Sequence, residues 1–93
     1  MNLIKLGLIE AVMYQYDEEG KLSIDMLYFF KQLIDHVNNQ IFSKKFNIQS
    51  SFSVNPYGLT DFEIKEVMKD LGFKVSVIRT HKKFVSIKIV SKL

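Results

Sequence analysis

Hydrophobic residues recur at helical spacing in the first half of the chain, and this spacing predicts two amphipathic helices. The first covers about residues 3–16, with a short strand over residues 3–8 as the alternative for its beginning. The second covers about residues 24–43, after a break at Gly20 and a cap at Ser23. The apolar stripe predicted for the second helix is Leu27, Phe30, Ile34, Val37 and Ile41, and Met26, Leu33 and Phe42 widen it.

Strand-like alternation appears in the second half of the chain. Apolar residues at every second position predict a strand over about residues 46–54. The same pattern predicts a terminal β-hairpin with strands over residues 73–79 and 84–90. An isolated hairpin is marginally stable in water, so these strands are expected to form one three-stranded antiparallel sheet.

A third helix is predicted over residues 61–71 because its start and its end both carry signals. Thr60 and Glu63 have the spacing of a capping box, and Gly72 stands where a left-handed residue often ends a helix. Helices on one side of an antiparallel sheet are typical of the α+β class. We therefore expect an α+β fold in which residues 1–93 form a single domain.

Composition agrees with a small folded domain. The chain has 93 residues, of which 47% are hydrophobic and 25% are charged, as in ordinary globular proteins. It has no cysteine, which excludes disulfides and thiolate chemistry and fits a reducing compartment. No stretch is apolar enough to span a bilayer, and the first residues make a poor signal peptide, so the prediction is a cytoplasmic protein without membrane contact.

Enzyme motifs are absent from the sequence. There is no glycine-rich phosphate loop, no His-Glu-x-x-His and no nucleophile elbow. His36 adjoins Asp35 on a helix, where neighbouring positions point apart, and His81 stands among lysines. The sequence therefore predicts a non-enzymatic protein that has no catalytic residues, no cofactor and no metal.

Charge is divided unevenly along the chain. Residues 1–43 carry three lysines against six acidic residues, a net of −3, while residues 44–93 carry ten basic against four acidic residues, a net of +6. The predicted hairpin is basic, and Lys74, Lys88 and Phe84 share its expected outward face. Lysines there either bind a polyanion or acidic partner, or only discourage edge-to-edge aggregation. The candidate residues for binding are Lys74, Arg79, Lys82, Lys83, Phe84 and Lys88.

Aromatic and methionine side chains suggest a second candidate surface. The second helix is apolar at every position from residue 26 to residue 30, which indicates either a buried turn or contact with a partner chain. The partner expected first is another protein, DNA or RNA is the alternative, and a homodimer through this helix is a further option. The candidate interface residues are Met26, Tyr28, Phe29 and Tyr57, each of which could instead belong to the core.

Three helices followed by a basic hairpin resemble the order of elements in winged-helix proteins, which implies DNA binding through the third helix. That helix, however, carries four carboxylates and two lysines, and Arg79 is the only arginine in the chain. Sequence-specific DNA recognition is therefore disfavoured.

A second resemblance is one of composition. The chain is rich in Lys, Asn, Ile, Phe and Ser, and it has a single proline. In this it resembles small phage and prophage proteins of AT-rich bacteria. That resemblance implies an inhibitor or regulator of a host protein, as anti-CRISPR proteins are.

Overall fold

The described residues form three helices and three strands. The structure is a computed structural model that describes residues 5–43, 51–79 and 83–93. The predicted α+β class, with a C-terminal hairpin in a three-stranded antiparallel sheet, is confirmed. In chain order the elements are α1 (Leu6–Glu18), α2 (Ile24–Ser43), β1 (Ser51–Val54), α3 (Asp61–Asp70), β2 (Phe73–Arg79) and β3 (Val85–Lys92).

The sheet has the order β1-β3-β2, so that β3 is central and the other two strands are edges. One row across it runs from Phe52 through Ile87 to Val77. The pairing of β2 with β3 shifts between Lys74 and Val75, which marks a β-bulge. Buried residues alternate with exposed or half-buried ones along β1, along most of β3 and at the start of β2, so one face packs against the helices and the outer face is turned to solvent.

Every helix and strand contributes to one hydrophobic cluster. In α2 the buried stripe differs from the predicted one, because Leu27 and Ile34 are only half-buried. Since the sequence is apolar at every position from residue 26 to residue 30, periodicity alone does not fix which of these side chains turn inward. Among residues 24–39 of this helix, the buried members are Met26, Phe29, Phe30, Leu33 and Val37.

Tyr16 connects the three helices. Its ring meets Phe30 of α2 edge-on, with 5.3 Å between the ring centroids. Its Oη donates a hydrogen bond to Oδ2 of Asp70 in α3 at 2.6 Å. One side chain of α1 thus contacts both other helices.

The capping box at Thr60, the left-handed residue at Gly72 and the cap at Ser23 are confirmed. Oγ1 of Thr60 accepts from the backbone N–H of Glu63 at 3.2 Å, and Glu63 Oε1 accepts from the backbone N–H of Thr60 at 3.0 Å. Gly72 has a φ of +96°, a value that L side chains rarely adopt. At α2, Ser23 Oγ accepts from the N–H of Met26 at 3.1 Å.

Some boundaries differ from the predicted ones. Helix α1 already includes Leu6, so the alternative strand over residues 3–8 is wrong where the structure describes that range. Strand β1 is observed over Ser51–Val54, and residues 46–50 of the predicted strand lie outside the described residues. Strand β3 continues two residues beyond its predicted end at residue 90.

Candidate protein-binding surface

Helix α3 carries its negative and positive side chains on different sides. Glu63, Glu66 and Asp70 recur at helical spacing and line a groove beside α1, which we call the acidic groove. Lys65 and Lys69 lie one turn apart and border a crevice beside β2, which we call the basic crevice. Glu66 stands between the two and borders both. The helix is therefore a boundary between surfaces of opposite charge.

The acidic groove has a volume of about 520 Å³ and includes Tyr16 and Met26 in its lining. Phe62 also borders it, with 71% of its surface exposed. Burial raises the pKa of Tyr16 well above its usual value, and the hydrogen bond to Asp70 raises it further. The Tyr16 hydroxyl therefore remains protonated at neutral pH and holds Asp70 in place.

The basic crevice lies between α3 and the edge strand β2, with a volume of about 310 Å³. Phe73 and Val75 form part of its mainly apolar floor, and Lys65, Lys69 and Lys74 stand on its rim. Within the described part of the chain, no carboxylate oxygen lies within 4.0 Å of these three ammonium groups. The crevice thus combines an apolar floor with three cations that have no ion-pair partner among those residues.

The outer face of the sheet is dominated by hydroxyl groups at its centre. Two rows of paired residues cross this face at its centre, namely Ser51, Lys88 and Ser76, and Ser53, Ser86 and Ile78. Lys88 is the one cation within these two rows, and the described strand residues include no carboxylate.

The residues predicted to bind a polyanion are spread along the hairpin. Lys74 and Lys88 are exposed and alternate with buried neighbours, which places both on the outer face. Lys83 and Phe84 precede β3, and Phe84 is 52% exposed. Lys82 lies outside the described residues. The structure therefore does not gather the described members of this set into one compact site.

Arg79, a member of the predicted binding set, makes contacts within the fold. Its Nε donates to Oδ1 of Asp61, and a terminal nitrogen of its guanidinium donates to the carbonyl oxygen of Leu59 at 2.6 Å. These contacts join the end of β2 to the start of α3. The sequence places Arg79 eighteen residues after Asp61, a separation at which no local pattern reveals contact.

The members of the predicted interface set differ in their exposure. Met26 is 5% exposed and Phe29 is fully buried, because both belong to the hydrophobic cluster. Tyr28 is 48% exposed, Tyr57 is half-buried, and their rings lie 5.6 Å apart. Only the two tyrosines of this set reach the surface.

Lys65 and Lys69 are absent from the set predicted from the sequence, although they border the basic crevice. The number of charges in α3 does not by itself assign them to sides of the helix. A helical projection separates these lysines from Glu63 and Asp70. It does not show that β2 lies beside them and brings Lys74 to the same place.

We expect His36 to make the stability of the fold depend on pH. Its ring is half-buried and stacks on Phe52, with 4.4 Å between centroids, and burial lowers its pKa below the usual value near 6.5. Folding thus favours neutral His36, and the resulting stability is present above pH 6.5 and lost as the pH falls through the lowered pKa. We expect urea midpoints to decline as the pH falls below about 6.5.

The test variant is His36→Gln. It should flatten this decline, because glutamine does not titrate. Equal slopes in wild type and His36→Gln would show that other groups cause the acid sensitivity.

The described residues include neither a candidate metal site nor a helix that could span a membrane. There, no three His, Cys, Asp or Glu side chains are grouped so that they could hold a metal ion. None of the described helices combines the length and apolar character needed to cross a membrane. Comparison with known proteins finds no matching family model, no matching curated protein and no matching solved structure.

Proposed function

We propose that this protein is a non-enzymatic binding protein whose partner is another protein with an acidic surface. The observation that carries the proposal is the basic crevice, where Lys65, Lys69 and Lys74 surround an apolar floor. Apolar contact contributes affinity at an interface, and complementary charge at its rim contributes orientation and a faster association rate. The crevice offers both in one place.

A protein partner fits this surface better than a nucleic acid does. Phosphate backbones are bound by rows of cations, whereas the centre of the outer face consists mainly of serines, and Arg79 already bonds to Asp61. An apolar floor such as that formed by Phe73 and Val75 suits an apolar side chain better than a phosphate. Nucleic acid remains the alternative because Phe84 is half-exposed beside Lys83 and could stack on a base.

In this proposal the protein acts by occupying its partner's surface. The resemblance of its composition to phage and prophage proteins supports an inhibitor or regulator encoded by a mobile element, of which anti-CRISPR proteins are an example. The absence of cysteine supports action in the cytoplasm.

The test compares two charge-reversal variants in affinity capture from an extract of the producing cells. Lys69→Glu combined with Lys74→Glu should lose the proteins that wild type recovers, because the rim would then repel an acidic partner. Lys5→Glu combined with Lys31→Glu changes the net charge equally at exposed sites away from the crevice, and should recover the same proteins as wild type. Quantitative mass spectrometry measures the recovery.

Two outcomes contradict the proposal. If the Lys69 and Lys74 variant recovers the same proteins as wild type, the basic crevice is not the binding surface. If nuclease treatment removes all recovered proteins, and binding to generic DNA or RNA falls steeply with salt, the nucleic-acid alternative is correct.

A further inference from the structure

Strand β2 leaves one side of its backbone without a partner strand in the described part of the chain. It is seven residues long and lies at the edge of the sheet, with β3 on its other side. No backbone hydrogen bond from another described element reaches its outer edge. An exposed edge of this kind can pair with an extended segment of another chain.

We propose that β2 accepts an extended acidic segment of the partner as a fourth strand of the sheet. This inference rests on the proposed function and adds the form in which the partner is held. Backbone hydrogen bonds to β2 would give affinity, and pockets beside the edge would select alternate side chains of the segment.

The basic crevice provides such a pocket. It opens between α3 and β2, and its apolar lining includes Phe73, Val75 and Leu93. Its volume of about 310 Å³ exceeds the roughly 150 Å³ of an engineered apolar cavity that accepts benzene. A leucine or phenylalanine side chain of the added strand would therefore fit.

Charge identifies the segment as acidic. Lys65 and Lys69 stand on α3 beside the edge, and Lys74 belongs to β2 itself. Pairing of β2 with β2 of a second copy would bring two such sets of lysines to one interface, where they would repel. An acidic segment would instead neutralise them, so the charges favour a different chain as the occupant.

The probe for this inference is a ten-residue peptide that alternates Glu or Asp with Val or Leu. We expect it to bind with a Kd below about 1 mM and to shift amide NMR signals along β2 and beside the crevice. Alternate β2 amides should gain protection from hydrogen exchange. Lys65→Glu, Lys69→Glu and Lys74→Glu together should weaken binding by at least about tenfold, and the Lys5 and Lys31 variant should not.

Two N-methylated forms of the peptide separate strand pairing from simple charge attraction. N-methyl groups at alternate residues remove the N–H groups of one edge of the peptide and keep every charge. Methylation of the edge that pairs with β2 should abolish binding, and methylation of the other edge should leave it unchanged.

Three outcomes would overturn the inference. Equal binding by both methylated peptides would show charge attraction without strand pairing, which leaves the proposed function standing. No binding at about 1 mM would show that the edge does not accept such a segment. A peptide-free dimer in sedimentation experiments, with β2 amides protected, would show that a second copy occupies the edge.

Discussion

Replacing Phe29 with alanine is expected to lower the free energy of unfolding by about 3–5 kcal/mol. Phe29 is fully buried in the hydrophobic cluster, so its removal leaves a cavity that the surrounding side chains only partly fill. Small domains have a total stability of about 5–15 kcal/mol, so much of the fold's stability would be lost. Urea unfolding followed by circular dichroism measures the change.

The control is the neighbouring residue. Tyr28 is 48% exposed and contacts the ring of Tyr57, so Tyr28→Ala should cost about 1 kcal/mol or less. Similar stabilities for wild type and Phe29→Ala would mean that Phe29 does not belong to the core. That result would support the prediction that Phe29 belongs to an interface.

Replacing Tyr16 with alanine should have an effect of similar size, about 3–5 kcal/mol. The change removes a buried ring, its edge-on contact with Phe30 and the hydrogen bond to Asp70. Thermal and urea unfolding should both shift to lower midpoints.

Tyr16→Phe isolates the hydroxyl group. It should cost about 1 kcal/mol, the usual net value of one hydrogen bond. Because folding raises the pKa of Tyr16, the wild-type fold should also lose stability as the pH rises above about 10, where unfolded tyrosine ionises. Tyr16→Phe should lose less stability there. Equal alkaline sensitivity in both proteins would show that Tyr16 is not responsible for it.

Much of the fold could be predicted because its signals are local. The capping box at Thr60 and the positive φ at Gly72 depend on a few neighbouring residues, and α3 begins and ends accordingly. The alternation of apolar and polar residues along β2 and β3 identifies two strands even when their partner strands are not known. Such patterns specify elements and their buried faces, and therefore the fold class.

The candidate surface was less predictable because it depends on residues that are distant in sequence. The sequence does not reveal the contacts of Arg79 with Asp61 and Leu59, because these residues are eighteen and twenty positions away. Phe29 was a candidate anchor because an entirely apolar turn does not show which side faces the core. The rim of the basic crevice combines side chains of a helix and a strand, and only the packing of α3 beside β2 brings them together.

The separation of charge on the two sides of α3 also affects how the protein rotates as it approaches a charged partner. With Glu63 and Asp70 on one side and Lys65 and Lys69 on the other, the helix contributes an electric dipole moment across the molecule. The electric field of a negatively charged partner exerts a torque on this dipole, and the torque turns the basic crevice towards the partner during diffusion. Productive encounters would then be more frequent than random orientation allows, and their rate would decrease as salt screens the field.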